Sequence, residues 1–135
     1  MAGTIKFAIL LIALNLLLRI PLPAHHSFAV EFDVKQRVTL KGVVTKVEWT
    51  NPHTYFYVDV RGESGAVVNW AFETAGPNTL ARQGWSRQSL KIGDQVTITG
   101  YRARDGSPIA SAREVVLSDG RKVFVGSTID GGPQR

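Results

Sequence analysis

The three histidines of this chain fall in two places, His25-His26 and His53, and their positions are chemically unequal. His25 follows Pro21-Leu22-Pro23-Ala24 at the end of a short hydrophobic leader. If export removes the leader after Ala24, His25 becomes the first residue, and its α-amino group and Nδ1 can close a chelate ring on one metal ion. A ring nitrogen of His53 or His26 would add a third donor, giving the T-shaped arrangement called a histidine brace. Nitrogen-rich tetragonal sites suit Cu(II), which also leads the first-row affinity order, so copper is the first expectation and zinc the second. The chain has neither the closed ligand spacing of a zinc finger nor an HExxH helix, so the terminal position carries the metal reading. A histidine in a turn can equally spend its imidazole on a backbone carbonyl.

The leader has the form of an export signal. Lys6 gives a positive start, and Phe7 to Leu18 make an apolar run of 12 residues before Arg19. That is shorter than the roughly 20 residues needed to span a bilayer, so no membrane anchor is expected after cleavage. Ala24 suits the residue before the cut, although Leu22 is larger than usual two places earlier. A competing cut after Ala29, read from Ser27-Phe28-Ala29, would discard both histidines; the two prolines ending the leader favour Ala24. Such processing places the mature protein in the periplasm or outside the cell.

Removing 24 of the 135 residues leaves enough chain for one domain with one core. Lys6 and Arg19 leave with the leader, so sixteen basic side chains become fourteen against eleven acidic ones, a mild excess of three. A polyanion binder would show a denser basic stripe, and no nucleic-acid partner is expected. Cysteine is absent, which excludes disulfides, thiolate sites and lipid-bearing cysteine.

The elements that must position these groups read as strands punctuated by turns. From Arg37 to Trp49 the apolar positions change phase after Gly42, which predicts a long strand with a bulge there. Thr50-Asn51-Pro52-His53 predicts a turn, and Phe56, Val58 and Val60 one face of a second strand. Ala66 to Glu73 alternates as a third strand. Pro77 to Arg82 followed by Gly84 predicts a short helix, and Ser86 caps a turn running to Leu90. Asp94 to Gly100 and Ile109 to Leu117 predict two more strands, and Asp119-Gly120 a hairpin returning through Lys122 to Val125. This order predicts an all-β fold with one short helix, a five- to six-stranded small barrel like the oligonucleotide/oligosaccharide-binding (OB) fold. The expected organisation is a signal peptide at 1–24, an N-terminal arm with the metal ligands at 25–36, the barrel at 37–125 and a flexible tail at 126–135.

Phe28, Val30 and Phe32 can form an edge strand that doubles back onto the barrel and carries the terminus toward His53. Strand rise is about 3.3 Å per residue, so about ten residues cover most of that distance. Glu31 and Asp33, on the opposite face, can supply an oxygen ligand or an acceptor that orients a ligating ring. A separate surface, formed by Tyr55 and Tyr57 beside Asn69 and Glu73, can stack on a glycan or an envelope protein. Trp49, Trp70 and Trp85 read as core or core-edge residues. Arg82, Arg87, Arg102, Arg104, Arg113, Arg121 and Lys122 read as a solvated face. No nucleophile elbow, phosphate loop or clear carboxylate pair is present, so a hydrolase is not supported. Redox catalysis at a histidine brace stays open.

Several stretches together resemble a known family: Ala24-His25-His26-Ser27-Phe28, Glu31-Phe32-Asp33, Trp49-Thr50-Asn51-Pro52-His53, Asn69-Trp70-Ala71-Phe72-Glu73, Gly84-Trp85 and Arg102-Ala103-Arg104-Asp105-Gly106. They are similar to small exported bacterial proteins built on a domain of unknown function. The resemblance implies a periplasmic or secreted location and a barrel-like fold, and it implies no reaction. Two expectations follow. The first is an exported, non-enzymatic copper-binding protein using His25, His26 and His53. The alternative is a periplasmic OB-like module that binds a glycan or envelope protein through Tyr55, Tyr57, Asn69 and Glu73.

Overall fold

Strand β1 runs from Phe32 to Glu48, 17 residues long, because it serves two neighbours in turn. Its first part, Phe32 to Val43, pairs antiparallel with β4 (Gln95–Ala103), and its last part, Gly42 to Glu48, pairs antiparallel with β2 (Tyr55–Arg61). The computed structural model describes residues 28–124. A strand this long must bend to stay on a small barrel, and it does so where its register slips: between Phe32 and Arg37 against β4, and between Val44 and Lys46 against β2.

The bulge thus falls at Thr45 rather than at Gly42. Gly42 stays in register with both Val60 and Val96, and its lack of a side chain has another cause: a Cβ there would run into the Asp59 carbonyl and Val58. The change of apolar phase read correctly as curvature, but the glycine marks a close backbone approach.

Strand β3 (Val67–Glu73) pairs antiparallel with β2, and β5 (Ile109–Leu117) pairs antiparallel with β4. Closure comes from a short parallel ladder in which Ala71, Phe72 and Glu73 meet Ile109, Ala110 and Ser111. The ring therefore runs β1-β2-β3-β5-β4 and back to β1, an all-β small barrel of OB-like strand order. A sixth strand, β6 (Lys122–Phe124), returns along β5 after the Asp119-Gly120 turn, where Gly120 takes a φ of 83°.

Alternation decides what the barrel encloses. On β2, Phe56, Val58 and Val60 face inward and are buried, while Tyr55, Tyr57 and Asp59 face outward. Phe56 and its cross-strand partner Phe72 stack with centroids 5.2 Å apart, and Ile98, Ala110 and Val115 complete the interior. Trp85 is buried, and Trp49 and Trp70 lie against the core's edge.

The one-turn helix α1 (Phe28–Glu31) precedes β1, and α2 (Pro77–Arg82) plugs the barrel with Leu80, which is fully buried. Pro77 opens α2. Its end is a Schellman motif: Trp85 N–H donates to the Leu80 carbonyl and Gly84 N–H to the Ala81 carbonyl, with Gly84 at a φ of 87°.

The arm departs from expectation. Residues 28–31 are a helical turn rather than an edge strand, and β1 continues from Phe32 into the barrel without doubling back. The cause is tertiary. Arg104 Nε donates to the Ala29 carbonyl at 2.8 Å, and the Arg104 N–H donates to the Glu31 carbonyl at 2.9 Å.

Gly76 tests how tightly the His53 turn is seated, because a Cβ there would stand 2.5 Å from the Pro52 carbonyl oxygen. Gly76→Ala is expected to lose about 1–3 kcal/mol in a denaturant melt through overpacking. Gly62→Ala, whose Cβ would meet nothing closer than 3.7 Å, is expected to stay within about 0.5 kcal/mol of the parent.

Candidate functional site

His53 sits where the ladder between β2 and β3 runs out. Beyond the paired strands, Thr74 N–H and Oγ1–H both donate to the Thr54 carbonyl at 2.9 Å, and Thr54 N–H donates to the Ala75 carbonyl. These bonds hold the Thr50–Thr54 turn, whose Asn51–Pro52 peptide is cis, against the end of β3. Thr50 Oγ1 closes the turn by donating to the His53 carbonyl at 3.1 Å.

The imidazole is then oriented from two sides. Its Nδ1 lies 2.9 Å from the Thr74 carbonyl oxygen and 3.3 Å from Glu73 Oε1. A carbonyl oxygen only accepts, so Nδ1 carries a proton. In the neutral ring this leaves the lone pair on Nε2, and the side chain is one-third exposed. Metal-ligating histidines are commonly held this way, with one ring nitrogen donating to a carbonyl or carboxylate and the other open to the ion.

Glu73 is shared. Its other oxygen, Oε2, accepts from the Tyr55 hydroxyl at 2.7 Å, which follows from the direct pairing of Tyr55 with Glu73 across β2 and β3. The Glu73 side chain is only 13% exposed, so this carboxylate is a nearly enclosed bridge between phenol and imidazole. Burial, then the hydrogen bond to Glu73 and that group's charge, push the Tyr55 phenol far above the ordinary tyrosine range; the Glu31 charge adds to the same effect. α1 therefore lies within electrostatic reach of this cluster.

Next along the same outer face, the Tyr57 hydroxyl donates to Glu48 Oε2 at 2.8 Å, and Glu48 pairs with Lys46. The Lys46 ammonium stands 5.2 Å from the Tyr57 ring centre. The hydrogen bond from Lys46, then that from Tyr57, holds the Glu48 carboxyl below its usual range. The hydrogen bond to Glu48 leads the causes that raise Tyr57. Farther on, Asn69 Nδ2 donates to Asp59 Oδ1 at 2.8 Å and to Thr45 Oγ1 at 3.0 Å.

The structure thus brings His53, Tyr55 and Glu73 into one cluster, with Tyr57 and Asn69 on the same face in separate hydrogen-bonded sets. Glu31 is exposed on α1. The Asp33 carboxylate accepts from the Lys35 N–H at 3.0 Å and Gln36 Nε2 at 3.3 Å, and lies 4.0 Å from Arg104. His25 and His26 lie outside the described residues. Among the described residues no three His, Asp or Glu side chains gather as a group that could hold a metal ion, and His53 is the one histidine among them.

Several arginines read as solvated are built into the structure instead. Arg113 stands 5.1 Å from the Phe28 ring centre and 5.2 Å from that of Tyr101, and Arg102 stands 5.4 Å from that of Trp70. Arg104 holds α1. No local sign in the sequence marks them, because the rings they meet belong to other elements.

The Tyr55–Glu73 bond makes an alkaline signature. A phenol raised above its unfolded value adds stability that is present below about pH 10 and is lost as pH rises toward the folded titration. An ultraviolet titration is expected to show Tyr55 resisting ionisation past the ordinary tyrosine range. Glu73→Gln is expected to bring that step down and to shift His53 ring resonances; an unmoved step would place the cause in burial alone.

The family model described as a family of unknown function, DUF6152, matches residues 16–111, a stretch that holds every residue of this cluster and both leader-proximal histidines. No curated protein and no solved structure gives a significant match. With well over half of its length covered by that match, the chain belongs to the DUF6152 family.

Proposed function

We propose that this is an exported, non-enzymatic metal-binding protein, with copper its first metal and zinc its second, in which His53 Nε2 is the donor fixed on the barrel. The observation that carries the reading is the commitment of His53 Nδ1 to the Thr74 carbonyl beside Glu73, which in the neutral ring leaves the lone pair on Nε2 of a side chain one-third exposed, the tautomer a ligating histidine needs. His25 supplies its α-amino group and Nδ1, and His26 a further imidazole or an outer hydrogen bond.

The position of α1 supports the approach of the two parts. Tyr101, Ser111 and Glu73 stand in register across β4, β5 and β3, so Tyr101 and Glu73 are two strand spacings apart, about 10 Å. Phe28 packs edge-on against Tyr101, and His25 is three residues earlier, a further reach of about 10 Å. The chain start can therefore span to His53.

The same contacts bear on where export cuts. Cleavage after Ala29 would remove the Phe28 ring from Phe32, Tyr101 and Arg113, and the Ala29 carbonyl from Arg104. That cost supports a cut upstream, after Ala24, which keeps both histidines. The periplasmic or secreted location rests on the leader itself. Among the described residues no helix is long and apolar enough to cross a membrane. The alternative, a glycan- or protein-binding module, has the tyrosine ring faces to offer; the polar ends of Tyr55, Tyr57 and Asn69 are spent on neighbours.

Cu(II) titrated into protein exported and cut by its own host, with the first residue verified by intact mass, is expected to bind one ion tightly. One extra N-terminal methionine is expected to collapse that binding, and His53→Ala to weaken it about ten- to a hundredfold. Affinity is expected to fall with pH, because amine and imidazoles must lose protons to ligate. Equal weak binding by all forms would end the metal reading.

A further inference from the structure

We infer that the stretch of β3 from Val67 to Asn69 is a docking edge for a second copy of this chain, which pairs with it antiparallel about a two-fold axis through Val68. This surface owes nothing to the metal reading.

Strand β2 uses only half of the β3 backbone. Gly62 N–H donates to the Ala66 carbonyl and Thr74 N–H to the Thr54 carbonyl, each at 2.9 Å, so the even-numbered residues of β3 bond to β2. The odd-numbered residues turn their backbone groups the other way, as Ala71 shows by donating to the Pro108 carbonyl at 3.0 Å. From Ala71 to Glu73 that side is filled by β5. One step earlier, the parallel ladder would need an N–H from residue 108 for the Asn69 carbonyl, and Pro108 has none. It would also need the Gly106 carbonyl for the Asn69 N–H, and that oxygen is engaged by Arg102 Nη2 at 2.7 Å. Among the described residues, then, no strand lies beyond Val67 and Asn69, and each turns an N–H and a carbonyl outward.

Edges of this kind are usually blunted by shortness, charge, proline or a bulge, and β6 is short and begins with Lys122. The run Ala66-Val67-Val68-Asn69-Trp70-Ala71 carries no charge and no proline, its register with β2 is unbroken, and Val67 and Val68 are 48% and 45% exposed. A second copy fits it by symmetry. With Val68 on the axis, Val67 of each copy faces Asn69 of the other, and the two pairs exchange four backbone hydrogen bonds. The two Val68 side chains meet on the axis and cover each other. Charge selects the antiparallel sense: on the outer face Arg61 stands beside Val67, and Asp59 stands beside Asn69, whose amide it accepts at 2.8 Å. Antiparallel pairing puts one copy's Arg61 and the other's Asp59 at the two ends of a single cross-strand row, whereas parallel pairing would set like charge against like. A ladder of two residue pairs belongs with weak encounters that bury less than about 1,200 Å², so the dimer forms and parts with concentration.

The test is sedimentation equilibrium of the host-processed, full-length mature protein from micromolar to millimolar concentration, in EDTA so that no metal bridges two copies, beside residue-resolved amide exchange. A reversible monomer–dimer equilibrium is expected. The Val67 and Asn69 amides are expected to exchange more slowly as concentration rises, while Ala71, already bonded to Pro108, stays unchanged. Val68→Lys and Val68→Asp are each expected to weaken the dimer about tenfold or more, because like charges then meet on the axis. An equimolar mixture of the two is expected to dimerise again, which a merely structural role for Val68 would not produce. Val67→Pro removes one outward N–H and no bond to β2, and is expected to stay folded and monomeric. A monomer at every concentration, or Val68→Lys pairing as well as the parent, would overturn the two-fold edge. Protection of the two amides that does not change with concentration would also overturn it, by assigning the edge to another segment of the same chain.

Discussion

Three residue pairs close this barrel. The parallel ladder of Ala71–Glu73 on Ile109–Ser111 joins strands that lie far apart in sequence, and without it the sheet would keep two open edges. It is possible because Ala110, fully buried, keeps the interior side of β5 low enough for Phe72 to cross it and stack on Phe56. The same ladder has an outer side. There Glu73 comes level with Ser111 and Tyr101, so the pairing that seals the core also brings the His53 cluster to the strands that carry α1. Fold closure and site assembly are one constraint.

The outer face shows how a small barrel keeps charged groups near aromatic rings without isolating them. Glu73 and Glu48 each take a tyrosine hydroxyl, and each also meets a basic or imidazole partner. The two carboxylates are not equivalent. Glu48 is more exposed and its pair with Lys46 is screened by water, which makes it worth little to stability. Glu73 is nearly enclosed, so its hydrogen bond from Tyr55 acts at lower local dielectric, and replacing it would leave that hydroxyl short of an acceptor. Orientation of His53 thus rests first on the Thr74 carbonyl, with the Glu73 carboxylate beside it.

Much of the architecture was legible because its signals are local. Pro77 and Gly84 bracket a helix by their own backbone preferences, Asp119-Gly120 turns a hairpin, and the alternation of Phe56 and Val58 with Tyr55 and Tyr57 declares two faces. What escaped depends on contacts distant in sequence. Phe28 to Glu31 alternates like a strand, yet a bond from Arg104, 75 positions away, bends it into a turn. Gly42 carries the sign of a bulge, but the Asp59 carbonyl explains it and the slip lies at Thr45. Arginines on β4 and β5 look solvated because sequence does not reveal which aromatic ring lies above them. Within the site, His53 and Glu73 were both visible but belonged to rival readings, one of a metal and one of a sugar surface. Only the register of β2 against β3 and the return of the chain at Thr74 unite them.

That union changes what a metal site here would require. A barrel that offered three converging histidines would bind its ion wherever it folded. This one offers a single oriented imidazole among its described residues, so tight binding under the proposed function must draw on the chain end. A terminal amine exists at His25 only after the leader is removed, whereas an uncut chain has an amide nitrogen at that position. Metal capture would then be coupled to export, because the chelate needs the amine that the cut releases. Under the proposed function, dividing the donors between a rigid sheet and a processed terminus would make the compartment a condition of binding, and it would give a use to the rings and arginines that hold α1.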